Sequence, residues 1–359
     1  MIACWSGETI LTHLMTAVRL HRIRKDLVIS RIQIPRIRAG EVLVDVRASG
    51  LCHSDLNYRD GVAPVAKLPI TLGHEIAGVV AEIGSRVKGV NEGDRVLVHY
   101  IASCGRCEYC RRGQENYCPR YLMIGKDIDG GFAEFARVPA SSVVKLPASI
   151  PFEQGAIMGC AVPTAFHALN RGRVQSKDTV VVLGVGGLGM HAVQLAKRIF
   201  KAGKVIAVDR FAWKLNRARS FGATDTVNTA TNDALRTIEK ITDGKMADVA
   251  LDFVGSEGTI QLGANCVGKG GRLVLVGIGA KLVQLSPYRT IIGKEIEIVG
   301  VDDHLKTELT QLVSFAQSGR LDLSHSVTHR ISLEEVNEGF RILEDRLEKP
   351  IRIVASKQY

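Results

Sequence analysis

The sequence of 359 residues lacks the long apolar runs of a membrane protein. No apolar stretch approaches the roughly 20 residues that cross a bilayer as a helix. Residues 1–14 also lack the basic start and the apolar core of a secretory signal. We therefore expect a cytoplasmic protein that binds no membrane. Within this segment, Cys4 has no predicted role.

Internal repeats and low-complexity segments are also missing from the sequence. Hydrophobic residues make up 46% of the chain and charged residues 23%, which is the ordinary mixture of a globular protein. A chain of this length exceeds what one hydrophobic core usually supports. We therefore expect two domains.

Charge of one sign is not concentrated in any segment, although the formal net charge is +10. The basic residues are dispersed and mostly interleaved with acidic ones, which is typical of a solvated surface. We therefore expect no nucleic-acid partner. The positive balance is compatible with an anionic dinucleotide ligand.

The pattern of short β-branched runs changes along the chain. From Thr16 to about Val144, such runs alternate with turns that contain Gly, Pro or Asn, which predicts a barrel-like β domain. From about Lys177, strand-like and helix-like stretches alternate, which predicts a doubly wound parallel sheet with right-handed crossovers. The predicted fold class is therefore α/β with an added β-barrel.

The last part of the chain predicts a return to the first domain. Helical stretches around Thr307–Gln317 and Leu333–Leu343 are followed by the strand-like PIRIVA. We therefore assign residues 1–163 and 302–359 to the β-rich domain and residues 164–301 to an inserted nucleotide-binding domain.

Clustered cysteines in a long cytoplasmic chain indicate metal or redox chemistry. Four of the eight cysteines lie in CGRCEYCRRGQENYC with the spacing C-x2-C-x2-C-x7-C: Cys104, Cys107, Cys110 and Cys118. Four thiolates can close a tetrahedron around Zn²⁺ and leave no open position, so we predict a structural zinc site. Arg106, Arg111 and Arg112 would temper its charge. The alternative is four free or paired cysteines.

Three further short motifs, far apart in sequence, contain side chains that can bind a metal. These are Cys52 in GLCHSD, His74 and Glu75 in LGHEIAG, and Cys160 in MGCAVPT. A catalytic zinc needs three protein ligands and one exchangeable position, and two cysteines with one histidine meet that need. Taken singly, each residue could be an inert core residue.

A glycine-rich turn follows the predicted strand TVVV and opens a predicted helix. In this context a G-x-G-x-x-G pattern is typical of a dinucleotide-binding site. The turn in LGVGGLGMHA contains Gly184, Gly186, Gly187, Leu188 and Gly189. Asp209 ends the next strand. Its carboxylate would accept hydrogen bonds from the ribose hydroxyls and repel a 2′-phosphate, which favours NAD over NADP. Arg210 weakens that preference.

GLCHSD, GHEIAG, the four-cysteine loop and the glycine-rich turn, in this order, resemble the zinc-containing medium-chain alcohol dehydrogenases. The resemblance extends from Met15 to the end of the chain. It implies a GroES-like β-barrel catalytic domain with an inserted Rossmann domain, and a catalytic zinc held by Cys52, His74 and Cys160. Glu75 resembles the alternate zinc ligand of the family, and Asp55 the carboxylate that orients the ligand histidine.

The same resemblance implies roles around the reacting groups. Ser54 looks like the hydroxyl that starts a proton relay, and His53 like a basic contact of the cofactor pyrophosphate. The family often ends the relay with a histidine where this chain has Asn57, so water or His53 would complete it. The remaining cofactor contacts implied by the family are Lys214, Thr164, Val276, Gly300 and Arg352.

The resemblance implies reversible oxidation of a primary or secondary alcohol to an aldehyde or ketone, with two zinc ions and NAD per chain, in a homodimer or homotetramer. Alternatives are an NADP-dependent aldehyde reductase, a polyol or threonine dehydrogenase, and a non-catalytic nucleotide or nucleic-acid binder. No zinc ligand is lost, which argues against the last. Candidate substrate-pocket residues are Tyr58, Tyr100, Tyr121 and Ile124.

Overall fold

The computed structural model describes residues 14–279, 281–346 and 348–357. The chain divides into two compact units after Cys160 and again before Ser324, so the second unit is inserted in the sequence of the first. Cys4, for which the sequence predicts no role, lies outside the described residues.

The first unit consists mainly of β-strands. Its strands are β1 (Leu14–Leu20), β2 (Val28–Gln33), β3 (Glu41–Leu51), β4 (Ile70–Thr71), β5 (Glu75–Ile83), β6 (Arg95–Val98), β7 (Ile101–Ala102), β8 (Leu122–Met123), β9 (Phe135–Pro139), β10 (Val143–Lys145), β17 (Val327–Ile331) and β18 (Arg352–Ser356). Its helices are α1 (His53–Arg59), α2 (Glu108–Arg111), α3 (Phe152–Ile157) and α10 (Val336–Asp345).

Strand β3 is the centre of the largest sheet in this unit. It pairs with β5 along one edge, and on the other edge with β9 over Glu41–Asp45 and with β18 over Ala48–Leu51. Register shifts in the β3–β5 pair mark irregularities, and bulges of this kind bend strands and increase their twist. The curved, mostly antiparallel arrangement agrees with the predicted barrel-like β domain.

The second unit alternates strands and helices. Its strands are β11 (Thr179–Leu183), β12 (Lys204–Asp209), β13 (Asp225–Asn228), β14 (Ala247–Asp252), β15 (Val267–Leu275) and β16 (Glu297–Gly300). Its helices are α4 (Ala161–Arg171), α5 (Gly187–Arg198), α6 (Ala212–Phe221), α7 (Ala234–Ile241), α8 (Glu257–Cys266) and α9 (Lys306–Gln317). Among the described residues, no helix has both the length and the apolarity of a membrane span.

All six strands of the second unit run parallel, in the order β13-β12-β11-β14-β15-β16. This is the usual strand order of a dinucleotide-binding sheet, in which the order reverses between the first and fourth strands. Val180, Val181 and Val182 of β11 are fully buried, as expected of a parallel strand that is covered on both faces. The predicted doubly wound parallel sheet is therefore present.

The second unit is longer than the sequence predicted. We expected residues 302–323 to rejoin the first domain, but the structure keeps them with the second unit, which ends at Leu323. Helix α9 packs on α4, where Glu308 accepts hydrogen bonds from His167 and Asn170. These buried polar contacts fix α9 to its own unit, and amphipathic periodicity alone could not reveal them.

Candidate functional site

Sheet register brings the distant candidate metal ligands together within the first unit. Cys52 immediately follows β3, and His74 immediately precedes β5. Gly50 in β3 is the register partner of Glu75, the first residue of β5. One ligand atom from each of Cys52, His74, Glu75 and Cys160 lies within 4.8 Å of the others, and all four residues are buried.

Asp55 orients the histidine of this cluster. It is fully buried on α1, and its carboxylate accepts hydrogen bonds from the backbone NH groups of Cys52 at 2.9 Å and Gly73 at 3.2 Å. Asp55 Oδ1 also lies 3.3 Å from His74 Nδ1. A carboxylate on one ring nitrogen of a histidine leaves the other nitrogen free to bind a metal.

Glu75 is the fourth polar side chain of the cluster, and Arg352 binds it. The Arg352 guanidinium donates to both carboxylate oxygens of Glu75, and both side chains are buried. A Cβ atom on Gly50 would lie 2.0 Å from Glu75 Oε2, so only glycine leaves room for the carboxylate there. Because Arg352 holds Glu75, the donor set available to a metal is two thiols and one imidazole, which fits a zinc ion with an open position.

The electrostatics of the cluster favour one deprotonated sulfur, that of Cys52, whereas the hydrogen bond to Cys52 and burial raise the pKa of Cys160 well above its usual value. A hydrogen bond from Cys160 lowers the pKa of Cys52 well below its usual value, and His74 and Arg352 add to this effect. Burial opposes the charged form of His74, but the nearby Asp55 carboxylate outweighs it and raises the histidine pKa. Burial raises the pKa of Glu75 to about 7, against the opposing charge of Arg352. A dication would stabilise both thiolates.

The four cysteines of the loop also converge. One sulfur atom from each of them lies within 4.8 Å of the other three. Cys107 and Cys110 are 3.4 Å apart at sulfur, and Cys104 and Cys110 are 3.9 Å apart. These separations exceed a disulfide bond but suit a tetrahedron with Zn–S bonds of about 2.3 Å, whose edges are about 3.8 Å. The loop therefore fits the predicted structural zinc.

A guanidinium that the sequence analysis did not single out reaches this loop. Arg120 donates to Cys104 Sγ at 3.4 Å, whereas Arg112 pairs with Glu108 at 2.7 Å. Hydrogen bonds from the backbone NH groups of Arg106 and Cys107 and from the Arg120 side chain together lower the pKa of Cys104 to about 5. Arg112 thus pairs with a neighbouring carboxylate, and the effect expected of Arg106, Arg111 and Arg112 on the thiolate charge stays a prediction.

The predicted relay residues lie on helix α1 beside Cys52. Ser54 is half-buried, with its hydroxyl 3.7 Å from Cys52 Sγ, while His53 is exposed. Asn57, one turn further along α1, is half-buried. The position of Ser54 is compatible with its predicted role, which stays a prediction, as does that of His53.

The glycine-rich turn has the backbone geometry that its motif predicts. Gly184 follows β11 with φ of 83°, and Gly186 is the N-cap of α5. A Cβ atom on Gly189 would lie 2.0 Å from the carbonyl oxygen of Gly184, so helix and turn pack closely only with glycine. The N-terminus of a helix that follows such a turn is suited to bind a pyrophosphate. Gly187 and Leu188 form the first turn of this helix.

Asp209 ends β12 and has both carboxylate oxygens engaged. Its Oδ2 accepts from the backbone NH of Val185 at 3.1 Å, and its Oδ1 from that of Phe211 at 3.0 Å. Lys214 lies 3.6 Å from Oδ2, while the guanidinium of Arg210 lies 4.8 Å from the centre of the Phe211 ring. The carboxylate thus has a fixed position at the end of its strand, beside the glycine-rich turn.

The other predicted cofactor contacts fall in different places. Thr164 on α4 is buried, with its hydroxyl 3.3 Å from His304 Nδ1. Gly300 ends β16, opposite Leu275 in β15, and Val276 is the next residue after β15. Arg352 is buried against Glu75 in the first unit. The structure therefore gives Arg352 a partner that the sequence analysis did not foresee, and its pyrophosphate contact stays a prediction.

Two tyrosines flank the histidine of the buried cluster of candidate metal ligands. Tyr100 meets the His74 ring edge-to-face with centroids 5.2 Å apart, and Tyr58 does so at 6.5 Å. Tyr121 and Ile124 belong with Tyr100 to the hydrophobic cluster that also contains Cys52 and Cys160. These four side chains thus form an apolar and aromatic surrounding for the cluster.

Two family models match the chain. The model of the alcohol dehydrogenase GroES-like domain matches residues 38–148, and that of the zinc-binding dehydrogenases matches residues 187–318. The first lies in the β-rich unit and the second in the unit with the parallel sheet. Both therefore agree with the two-domain architecture described above.

Similar proteins align over nearly the whole chain. An NDMA-dependent alcohol dehydrogenase from Amycolatopsis methanolica is 37% identical over 92% of this chain and 95% of its own length. An NAD-dependent alcohol dehydrogenase from Sulfurisphaera tokodaii is 34% identical, with shares of 92% and 97%. The crystal structure of the alcohol dehydrogenase from Aeropyrum pernix has a TM-score of 0.87 and 35% identity, with shares of 95% and 100%.

The order of the domains, the convergence of both sets of metal-binding side chains and the extent of these alignments lead to one assignment. The enzyme class predicted from the sequence, an alcohol oxidoreductase, is confirmed at this level. This chain belongs to the zinc-dependent medium-chain alcohol dehydrogenases.

Proposed function

We propose that this enzyme oxidises primary or secondary alcohols reversibly to aldehydes or ketones, with one catalytic and one structural zinc per chain and with NAD as hydride acceptor. The observation that carries the proposal is the buried cluster of Cys52, His74 and Cys160, with Glu75 held by Arg352. Three donors and one open position are what a catalytic zinc requires.

A bound zinc would lower the pKa of an alcohol hydroxyl, and a nicotinamide ring would accept the hydride. The chain itself supplies positioning and proton transfer. In this proposal Asp55 holds the His74 ring, and the Ser54 hydroxyl, which lies 3.7 Å from Cys52 Sγ, would accept the alcohol proton. A hydroxyl suits this step because it can accept and donate a hydrogen bond at once.

NAD is the proposed cofactor because the Asp209 carboxylate is held at the end of β12 by Val185 and Phe211. A carboxylate fixed there would bind two ribose hydroxyls and repel a 2′-phosphate. One observation favours the alternative of an NADP-dependent aldehyde reductase. Arg210 is exposed beside Asp209 and could pair with a 2′-phosphate.

Uncharged substrates fit the aromatic surroundings of the site best. Tyr58 and Tyr100 flank His74, Glu75 and Arg352 bind each other, and Asp55 contacts His74. A charged substrate would find no unpaired partner of opposite sign among them. A simple uncharged alcohol is therefore the proposed substrate class, ahead of a polyol or an amino acid such as threonine.

A homodimer or homotetramer is the proposed assembly. Ile278, Leu282, Tyr288 and Ile292 of the second unit are exposed, and Leu282 reaches 94%. These four residues lie within 15 positions of the sequence, and exposed apolar patches are typical of protein–protein contacts. Light scattering after size-exclusion chromatography measures the mass directly, and a monomer of 39.0 kDa would contradict the proposed assembly.

One experiment tests the main proposal. Freshly purified, chelator-free protein is analysed for metal by mass spectrometry, and then titrated with NADH and NADPH and assayed with a panel of primary, secondary and polyhydric alcohols. We expect about two zinc ions per chain, tighter binding of NADH and turnover of uncharged alcohols. A single tightly held zinc, or a preference for NADPH, would contradict the corresponding part of the proposal.

A further inference from the structure

Three turns meet at the carboxyl ends of β11, β14 and β15. A Cβ atom on Gly184, after β11, would lie 2.4 Å from a methyl carbon of Val254, after β14. A Cβ atom on Gly255, where φ is 75°, would lie 2.4 Å from the carbonyl oxygen of Gly277, after β15. The turns therefore interlock, and a shift of the Val254–Gly255 turn must move its neighbours.

Asp252, the last residue of β14, holds this arrangement together. Its carboxylate accepts hydrogen bonds from the backbone NH groups of Val254 at 2.9 Å and Gly255 at 3.3 Å. Its backbone carbonyl accepts from the NH groups of Val276 and Gly277, both at 2.9 Å. One residue thus fixes the turns after two adjacent strands.

The Asp252 side chain is fully buried, and it forms no ion pair with a described lysine or arginine. Besides the two backbone NH groups, its recorded partner is the Thr259 hydroxyl at 3.1 Å. Burial raises the pKa of Asp252. A buried carboxylate with only neutral donors costs free energy, so packing alone gives little reason for an acid at this position.

The position in the sheet gives a reason. In register, Asp252 lies between Leu183, which precedes Gly184, and Leu275, which precedes Val276. β11 and β14 are the two strands at which the order of the sheet reverses. In sheets of this kind, dinucleotides bind in the crevice at that reversal, so the Val254–Gly255 turn forms one wall of it and the glycine-rich turn the other.

We propose that Asp252 is a positioning residue of the cofactor site, whose carboxylate holds the Val254–Gly255 turn against the Gly184 turn and thereby sets the affinity for the nicotinamide dinucleotide. The proposal rests on the proposed use of that cofactor. Asp252 itself contacts no cofactor atom in this scheme. It acts through the two backbone NH groups that it binds.

The test compares Asp252→Asn with Asp248→Asn in the zinc-loaded enzyme. Asn keeps the Oδ1 acceptor for the Val254 NH but removes the negative charge and places an NH2 group at the position of Oδ2, so the Gly255 NH and the Thr259 hydroxyl lose that acceptor. Asp248 is the second residue of the same strand and accepts from the Thr179 NH at 2.7 Å, so its substitution weakens a similar bond at the opposite end. Dissociation constants for NADH come from fluorescence titration, with zinc content and melting temperature measured in parallel.

We expect Asp252→Asn to weaken NADH binding about tenfold, to raise KM for NAD by a similar factor and to change kcat and zinc content little. Asp248→Asn should bind NADH like the unmodified enzyme. Unchanged NADH affinity in Asp252→Asn, or equal weakening in both variants, would overturn the proposal. If Asp252→Asn does not fold, Thr259→Val replaces it, with an expected weakening of about threefold, and unchanged affinity there overturns it.

The unmodified enzyme separates this proposal from the broader one. If it binds neither NADH nor NADPH, the proposed cofactor is wrong and the role of Asp252 is wrong with it. If it binds NADH and Asp252→Asn binds NADH equally well, the proposed function stands and only the role of Asp252 fails.

Discussion

Arg352 donates hydrogen bonds to both carboxylate oxygens of Glu75, although 277 positions separate the two residues in sequence. Arg352 begins β18 and Glu75 begins β5, and both strands pair with β3 near its carboxyl end. The ion pair therefore closes one side of the buried cluster of candidate metal ligands. It also leaves the Glu75 carboxylate neutralised while the two thiols face the metal position.

Removing one member of this pair should destabilise the fold. We expect Arg352→Met to lower the free energy of unfolding by about 3–5 kcal/mol, because Glu75 then has to stay buried without its counter-charge or take up a proton. The double variant Glu75→Gln/Arg352→Met should recover a large part of that loss. Chemical denaturation of the three proteins measures both effects. Equal losses in the single and double variants would contradict the electrostatic explanation.

Substitutions at the two proposed zinc sites should have different effects, one on turnover and the other on stability. Cys52→Ala should abolish turnover and leave the fold intact, because Cys52 holds the ion with the open position. Cys107→Ala should mainly lower the melting temperature, because structural zinc supplies about 10 kcal/mol or more of apparent binding energy. Melting curves and steady-state rates are measured side by side. An active, zinc-loaded Cys52→Ala, or an inactive Cys107→Ala with unchanged melting, would contradict the assignment.

The contact between Arg120 and Cys104 should slow zinc loss from the four-cysteine loop. We expect Arg120→Ala to release zinc to a colorimetric chelator about two to five times faster, as for other exposed charge pairs. Arg86→Ala is the control, since Arg86 is an exposed arginine outside this loop. High salt should reduce the difference. Identical release from all three proteins would show that the contact has no such role.

Cofactor preference should depend on Asp209. We expect Asp209→Gly to raise the ratio of kcat/KM for NADP over NAD about tenfold, which corresponds to about 1.4 kcal/mol, because the repelling carboxylate is lost. Arg210→Ala should move the ratio in the opposite direction, since it removes the cation that could bind a 2′-phosphate. Steady-state kinetics with both cofactors provides the values. A ratio that stays constant in both variants would argue against this cofactor pocket.

Some parts of the fold and the site could be predicted because their signals are local. The parallel sheet follows from apolar strands that alternate with helical stretches, and Gly184, Gly186 and Gly189 are needed by a single strand-to-helix turn. The four loop cysteines lie within 15 positions, so a metal closes only short loops. For such features the neighbouring residues impose the geometry.

The Cys52, His74 and Cys160 cluster required more than local signals. Each side chain alone is compatible with an ordinary buried residue, and only the resemblance to a family joined them in the sequence analysis. In the structure, the pairing of Gly50 with Glu75 brings the motif that contains Cys52 next to the motif that contains His74. Strand register depends on long-range hydrogen bonds that no single segment encodes.

The sequence by itself determined which chemical groups are available. These are six thiols and one imidazole in two sets, a glycine-rich turn, and an acidic residue at the end of the next strand. Only the tertiary structure decided that Arg352 neutralises Glu75, that Arg120 rather than Arg112 reaches a sulfur, and that α9 stays with the second unit. The position of Asp252 is fixed in the same way, through hydrogen bonds to the turns after two adjacent strands. Composition and spacing fix chemistry along the chain, whereas partners distant in sequence are fixed by the packing of complete sheets and helices.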